Sequence, residues 1–355
     1  MSRNQANALL LFAALLWGGG NVAQSAVAEN IGPFLAVGLR CLIAALVLLP
    51  FVLSQPVSKL AHDPTHRKLG SGAILAFVAA VTCQQFGFTH TSVTNVGFII
   101  NTTTVITPVF AWFMMSQRPA MAVWPAAVIS LVATVLMTGG APLGYNMGDV
   151  FCLASAIFYS IWMVLLGAYV IRCGNVMRFT IVQFLVTSVI CLALSSGFET
   201  IRPAAVFAVA PELLALGAFS TGLAYLLQSI AQQRTSASEA AIITSGEALF
   251  GATGAFLLLG ETLTFQAAVG AVLMCFAILL VQVPDDFLNQ VDRPRQRPRA
   301  PGKPRHVSLA KQISERVSSP APIQYRHDGG QLAGIVHPVL ARQDASGSVR
   351  LPWTH

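Results

Sequence analysis

Two charged residues, Arg40 and Glu247, interrupt long apolar runs in this chain. A charge in such a setting is costly and needs a reason. Arg40 could hold an anionic solute or pair with an acid, and it could equally snorkel outward or bond a loop carbonyl. Glu247 follows Gly246 near the middle of its run, where a carboxylate could exchange a proton or bind an amine. The alternative there is a structural carboxyl satisfied by a neighbouring helix. Glu239 opens the same run beside Thr235, Ser236 and Ser238. A helix N-terminus favours a carboxylate, so its expected role is structural.

Neutral polar residues form a second group: Asn21, Gln84, Gln85, Asn101, Thr102, Thr103, Gln183 and Gln228 fall inside or near apolar runs. Interhelical hydrogen bonds explain most such residues in polytopic proteins. We assign Asn21, Gln84, Asn101 and Gln228 to substrate binding, with Arg40 and the aromatic residues Trp17, Tyr159, Trp162 and Tyr225. Ring faces suit apolar or cationic solutes, although the same rings serve equally as packing or interfacial residues. Glu247 is the candidate for proton coupling.

Enzyme chemistry finds little support. Six histidines lie in loops or tail, and His90 stands at a helix end, so no His–Asp or paired-carboxylate constellation forms inside the runs. The six cysteines are scattered without CxxC spacing, so neither a metal site nor a disulfide framework is expected. Gly18-Gly19-Gly20 is not a phosphate loop, because no strand, lysine or GxGxxG pattern accompanies it. No cofactor is expected.

What must position these residues is a membrane. Apolar residues make up 55% and charged residues only 10%, against roughly 25% charged in a soluble domain. Ten segments are long enough to cross a bilayer as helices: 7–28, 33–53, 69–88, 93–115, 120–139, 148–170, 179–197, 208–231, 237–259 and 263–283. Arg3 before the first run and Ala26-Val27-Ala28 after it resemble a signal peptide, but the run is too long and belongs to a regular series. With the N-terminus inside, the inner loops carry Arg3, Lys59, Arg67, Lys68, Arg118, Arg172, Arg178 and Arg234, and the outer loops only Arg202. That asymmetry predicts cytoplasmic termini.

The chain also repeats itself. Without gaps, Thr91 falls on Thr235, Ser92 on Ser236, Phe110 on Gly254 and Gln117 on Glu261. Both copies open on Thr-Ser, run apolar, break briefly and run apolar again. Five helices per half make the second copy enter from the opposite side, an inverted repeat suited to alternating access. Pro108 removes a backbone donor, which predicts a kink near Thr104.

Particular motifs then carry a resemblance. They are Leu16-Trp17-Gly18, Gly38-Leu39-Arg40, Thr107-Pro108-Val109-Phe110, Glu247-Ala248-Leu249-Phe250 and Leu259-Gly260-Glu261. With the duplicated order, they resemble the drug/metabolite transporter superfamily and, within it, the EamA-type permeases. Ser116-Gln117 stands where that pattern closes the first repeat with Gly-Glu, and Ala248 where it has Pro. The resemblance implies an all-α integral membrane protein of ten transmembrane helices in two inverted five-helix repeats, residues 1–140 and 141–284. It also implies transport, in the direction of export, of a small metabolite such as an amino acid, an amine or a related amphipathic compound across the bacterial inner membrane. The alternatives are a passive facilitator or channel and, further off, an intramembrane enzyme or a non-transporting partner subunit.

Residues 285–355 are different. Eleven of the 21 Lys and Arg residues lie from Arg293 onward, interleaved with Pro. Such a composition predicts disorder and, just inside the membrane, contact with anionic lipid headgroups. Nucleic acid is not an expected partner, because no aromatic residues interleave the basic run. One chain holds both halves, so a monomer suffices and a homodimer stays open.

Overall fold

In a bilayer the backbone groups of an apolar run have no water to bond, so each run must close its hydrogen bonds within a helix. A computed structural model follows that rule. It describes residues 1–54, 64–116, 118–139, 146–173, 175–259 and 264–282, and no strand occurs among them. The first half contains α1 (Arg3–Asn30), α2 (Pro33–Leu53), α3 (Pro64–His90), α4 (Val93–Ile100), α5 (Thr103–Met115) and α6 (Val123–Met137). The second contains α7 (Met147–Cys173), α8 (Val176–Phe198), α9 (Pro203–Ala208), α10 (Ala210–Ala215), a π-helical stretch (Leu216–Leu223), α11 (Ala224–Ala231), α12 (Ala237–Thr244), α13 (Glu247–Leu259) and α14 (Phe265–Gln282). Gln117, Glu261 and the basic tail lie outside the described residues.

Eight helical stretches are long and apolar enough to cross a membrane, counting α4–α5 and α10–α11 as one each. The chain is thus an all-helical multi-pass membrane protein. Ten spans are expected from sequence; α6 and the pair α12–α13 stand in the places of the other two, as shorter pieces. Large apolar side chains face outward along the spans, among them Phe113, Val189 and Phe265. In water these would be a liability; against lipid tails they are the natural exterior.

The repeat survives in detail. Under the register that places Thr91 on Thr235, α4 falls on α12 and α5 on α13, residue for residue. Ser92 caps α4 by accepting from the Asn95 amide at 3.2 Å, and Ser236 caps α12 by accepting from the Glu239 amide at the same distance. Both copies then interrupt their helix at the same step, Asn101-Thr102 in one and Ser245-Gly246 in the other. Pro108 alone does not account for this. The break at Asn101-Thr102 falls close to the kink expected near Thr104, but Ala252 stands at the aligned position of the second copy, which breaks as well. Short hydroxyl side chains compete for the carbonyls instead. Thr102 Oγ1 donates to the Ile99 carbonyl at 2.6 Å, and Ser245 Oγ to the Ile242 carbonyl at 2.6 Å.

Packing joins the halves across this symmetry. α2 lies on α8 and α6 on α14, each helix against its own repeat-mate. α1 packs on α11, α12 and α13, while α7 packs on α3, α4 and α5. The close approach of α1 to α13 needs Gly18: a Cβ there would stand 2.5 Å from the Glu247 carbonyl oxygen and 2.8 Å from the Gly251 amide. Gly19 and Gly254, by contrast, face open space. Glu199, after α8, accepts from the Phe34 and Leu35 amides at 2.8 and 2.9 Å and so caps α2. Ser116 ends α5 in the left-handed conformation, φ 53°, at the position where the EamA-type pattern has glycine.

Candidate functional site

The two helix breaks face one cavity. The space, about 700 Å³ with its open mouth included, is bordered by Asn101 and Thr103 from one break and by Thr244, Ser245 and Glu247 from the other. At such a break the helix loses regular backbone pairing, which polytopic proteins tolerate only beside protein or a cavity. Glu247 opens α13, so its carboxylate sits in the first turn, where the helix dipole favours negative charge.

Every residue assigned to the site from sequence borders this cavity: Trp17, Asn21, Arg40, Gln84, Asn101, Tyr159, Trp162, Tyr225, Gln228 and Glu247. They come from α1, α2, α3, α7, α11 and the two broken helices, so both halves contribute. Gln84 and Gln228 are one repeat pair, facing the cavity from α3 and α11. Gln85 and Gln183 stay outside it and serve as interhelical ties. Gln85 Oε1 accepts from Gln24 Nε2 at 3.2 Å, and Gln183 Oε1 accepts from Trp162 Nε1 at 2.8 Å.

The aromatic residues form a connected wall. Tyr225 stacks tilted on Trp17 at 5.0 Å between centroids and edge-on to Trp162 at 5.4 Å and Phe77 at 5.0 Å. Its hydroxyl is 2.7 Å from that of Tyr159, which donates on to Gln84 Oε1 at 2.8 Å. Trp17 Nε1 donates to the Ser220 carbonyl at 2.8 Å, inside the π-helical stretch. π-Helical turns widen a helix locally and recur at functional sites. Here the turn also packs on α2, where a Cβ at Gly217 would stand 3.0 Å from the Arg40 carbonyl.

Arg40 does not snorkel. It is 4% exposed, and its Nε and Nη2 have no hydrogen-bond partner among the described residues. Glu247 is half-buried, and no hydrogen bond holds its carboxyl among the described residues. No ion pair joins the two. Among the described residues the one ion pair is Arg3–Glu239, at 2.6 Å, and Glu239 also closes the capping box of α12.

Sequence reasoning missed Gln24, Ser220, Thr221, Thr244 and Ser245, which border the cavity as well. Small hydroxyls in apolar spans are common and give little signal. The Gln24–Gln85 contact alone was foreshadowed, through Gln85.

A helical membrane protein with a polar cavity between two repeated halves has the architecture of a membrane transporter. Comparison with known proteins agrees. The sequence matches the EamA-like transporter family over residues 4–139 and again over 146–283. The chain belongs to that family. It is similar to an uncharacterized transporter of Archaeoglobus fulgidus, 26% identical over 278 residues, which are 77% of this chain and 84% of that protein. It is also similar to an uncharacterized transporter of Clostridium kluyveri, 23% identical over 76% of this chain and 91% of that one. A solved crystal structure superposes with a TM-score of 0.69 over 82% of this chain and all of its own, at 18% identity, a likeness of fold.

Proposed function

We propose that this protein is a secondary transporter of the bacterial inner membrane that exports small metabolites, such as amino acids, amines or related amphipathic compounds. It works by alternating access between two inverted five-helix repeats, residues 1–140 and 141–284, with both termini in the cytoplasm. The observation that carries this reading is the cavity at the two repeat-related helix breaks, walled by both halves. Carriers place their sites at such discontinuous helices between repeats.

The two ends of the bundle support the same reading. At the end where α1 begins, Arg3 pairs with Glu239 at 2.6 Å and Thr235 donates to Asn7 at 3.3 Å. At the end where α7 begins, Thr91 donates to Asp149 at 2.9 Å and Asn95 approaches the same carboxylate at 3.5 Å. Thr91 is the repeat-mate of Thr235, and Asn95 of Glu239. Each clasp ties one half to the other, so releasing one while keeping the other opens the cavity to a single side. Glu247 exchanges the proton that drives the cycle.

The test is flux in proteoliposomes holding only this protein, with labelled amino acids, amines and organic acids and an imposed pH gradient. Saturable accumulation against a concentration gradient is expected in wild type, and its dependence on the pH gradient is expected to vanish in Glu247→Gln. A leak that never saturates would point to a channel. Equal flux with and without the gradient in both proteins would remove the proton.

A further inference from the structure

Charge divides the helical bundle by end. Where α1 begins, Glu239 is the one acid among the described residues, and it holds Arg3. Where α7 begins stand Asp149 and, at the same end, Glu29, Glu199 and Glu212. The basic end has a compact node of three helices. A Cβ on Gly70 of α3 would stand 3.0 Å from the Tyr169 ring of α7 and 3.7 Å from the Phe179 ring of α8. The two rings lie 4.3 Å apart between centroids.

Beyond that node each helix carries a cation towards its end. Lys68 comes just before Gly70, Arg172 falls within a turn after Tyr169, and Arg178 directly precedes Phe179. Arg172 lies two turns along from Leu165, which also meets α3: a Cβ at Gly72 would stand 3.2 Å from it. Arg172 is therefore on the face of α7 that adjoins α3. The repeat does not demand this cluster. In the register of Thr91 on Thr235, Lys68 aligns with Glu212, Arg172 with Ala28 and Arg178 with Phe34.

Two of the cations head apolar stripes. Lys68, Ser71 and Leu75 share one exposed face of α3, and Leu75 is 63% exposed. Arg178 stands on the face of α8 that bears Val182, Leu185 and Val189, of which Val189 is 68% exposed. Helical spacing of three and four residues keeps each set in line. A cation at the head of a lipid-facing stripe matches a phospholipid, with phosphate at the charge and acyl chain along the stripe. Basic pockets between membrane helices bind anionic headgroups in this way. Tyr169 suits the same level, since tyrosine rings favour the membrane–water interface.

We propose that the ends of α3, α7 and α8 form a binding site for an anionic phospholipid. Lys68, Arg172 and Arg178 receive its phosphate, and its acyl chains lie on the exposed stripes of α3 and α8. The site is separate from the central cavity and does not depend on what that cavity carries.

The test uses the full chain in detergent, with retained lipid counted by native mass spectrometry. Dioleoyl phosphatidylglycerol is expected to be held at least tenfold more tightly than dioleoyl phosphatidylcholine, and millimolar inorganic phosphate should not displace it. Equal retention of the two lipids would overturn the site, and displacement by phosphate would make it a free-anion site and overturn the lipid. Combined Lys68→Gln, Arg172→Gln and Arg178→Gln should reduce the preference to within about twofold. Combined Arg293→Gln, Arg295→Gln and Arg297→Gln removes as much charge from the tail and should leave the preference intact. Loss in the tail variant alone, or equal loss in both, would overturn the proposal. A wild-type measurement needs no variant: phosphatidylglycerol should shield Lys68 from acylation while Lys311 stays reactive. Lys68 acylated alike in both lipids would overturn the proposal too. None of these outcomes reads flux, so the transporter reading stands or falls separately.

Discussion

Tyr225 is the residue on which the cavity wall converges. Its ring meets Trp17, Phe77 and Trp162, and its hydroxyl meets Tyr159, which reaches Gln84. α1, α3, α7 and α11 are thereby linked through side chains that border or back the solute space. Tyr159→Phe keeps the ring and deletes the hydroxyl that joins Gln84 to Tyr225. It should cost about 1–2 kcal/mol, because one buried and one part-buried hydrogen bond are lost and Gln84 and Tyr225 are left short of a partner. A lowered midpoint of thermal unfolding in detergent would show it, and an unchanged midpoint would mean the hydroxyls are not coupled as drawn. At this scale the site was largely legible in the sequence, because a polar or aromatic residue inside an apolar run is conspicuous. Arg40 shows the limit. Whether its guanidinium turned outward or inward depended on which face of α2 meets α8 and the π-helical turn, and a helix apolar on every face has no periodicity to reveal that.

Among the elements, the two broken helices organise the site. Their breaks align in the repeat register and share short polar residues, while a proline occurs in only one of them. Pro108→Ala should therefore leave α5 starting at Thr103, because the hydroxyl competition at Asn101-Thr102 remains. Backbone chemical shifts or a crystal structure of the variant would check this, and a continuous helix through Asn101 would contradict it. The approach of α1 to α13 makes a second prediction. Gly18→Ala places a methyl group 2.5 Å from the Glu247 carbonyl and should cost about 1–3 kcal/mol through overpacking. Gly19→Ala meets nothing and should be neutral or stabilise by up to about 1 kcal/mol. If the two alanines behaved alike in thermal melts, the α1–α13 contact would be wrong. Pro108 marked the first break to within three residues, whereas the second break and the π-helical turn left no readable mark in the sequence. Asn-Thr and Ser-Gly steps are ordinary inside membrane helices, and only the aligned pair of interruptions gives them meaning.

For the whole molecule, the repeat was the most legible feature and also the most informative one. Hydropathy indicated the helical multi-pass class, and the gapless register of Thr91 on Thr235 anticipated that α4–α5 and α12–α13 match in length. Differences between the copies matter as much as the match. Arg40 aligns with Phe184 and Glu247 with Thr103, so the site's two charges sit where the halves diverge. A symmetric scaffold can thus rock about a centre that is chemically one-sided. Sequence could not show that the repeat-mates Thr91 and Thr235 stand in clasps at opposite ends, since that depends on α1 and α7 crossing to the opposite half.

Reciprocal opening of those ends is the central claim, and spin-label distances test it directly. In a chain with its native cysteines replaced, one label pair goes at Asn4 and Arg234, beside the Arg3–Glu239 clasp. The other goes at Thr94 and Met147, beside the Thr91–Asp149 clasp. Adding a transported solute or reversing the pH gradient should lengthen one distance while the other stays short, and the opposite condition should exchange them. Both distances lengthening together would describe a channel, and neither changing while flux proceeds would contradict alternating access.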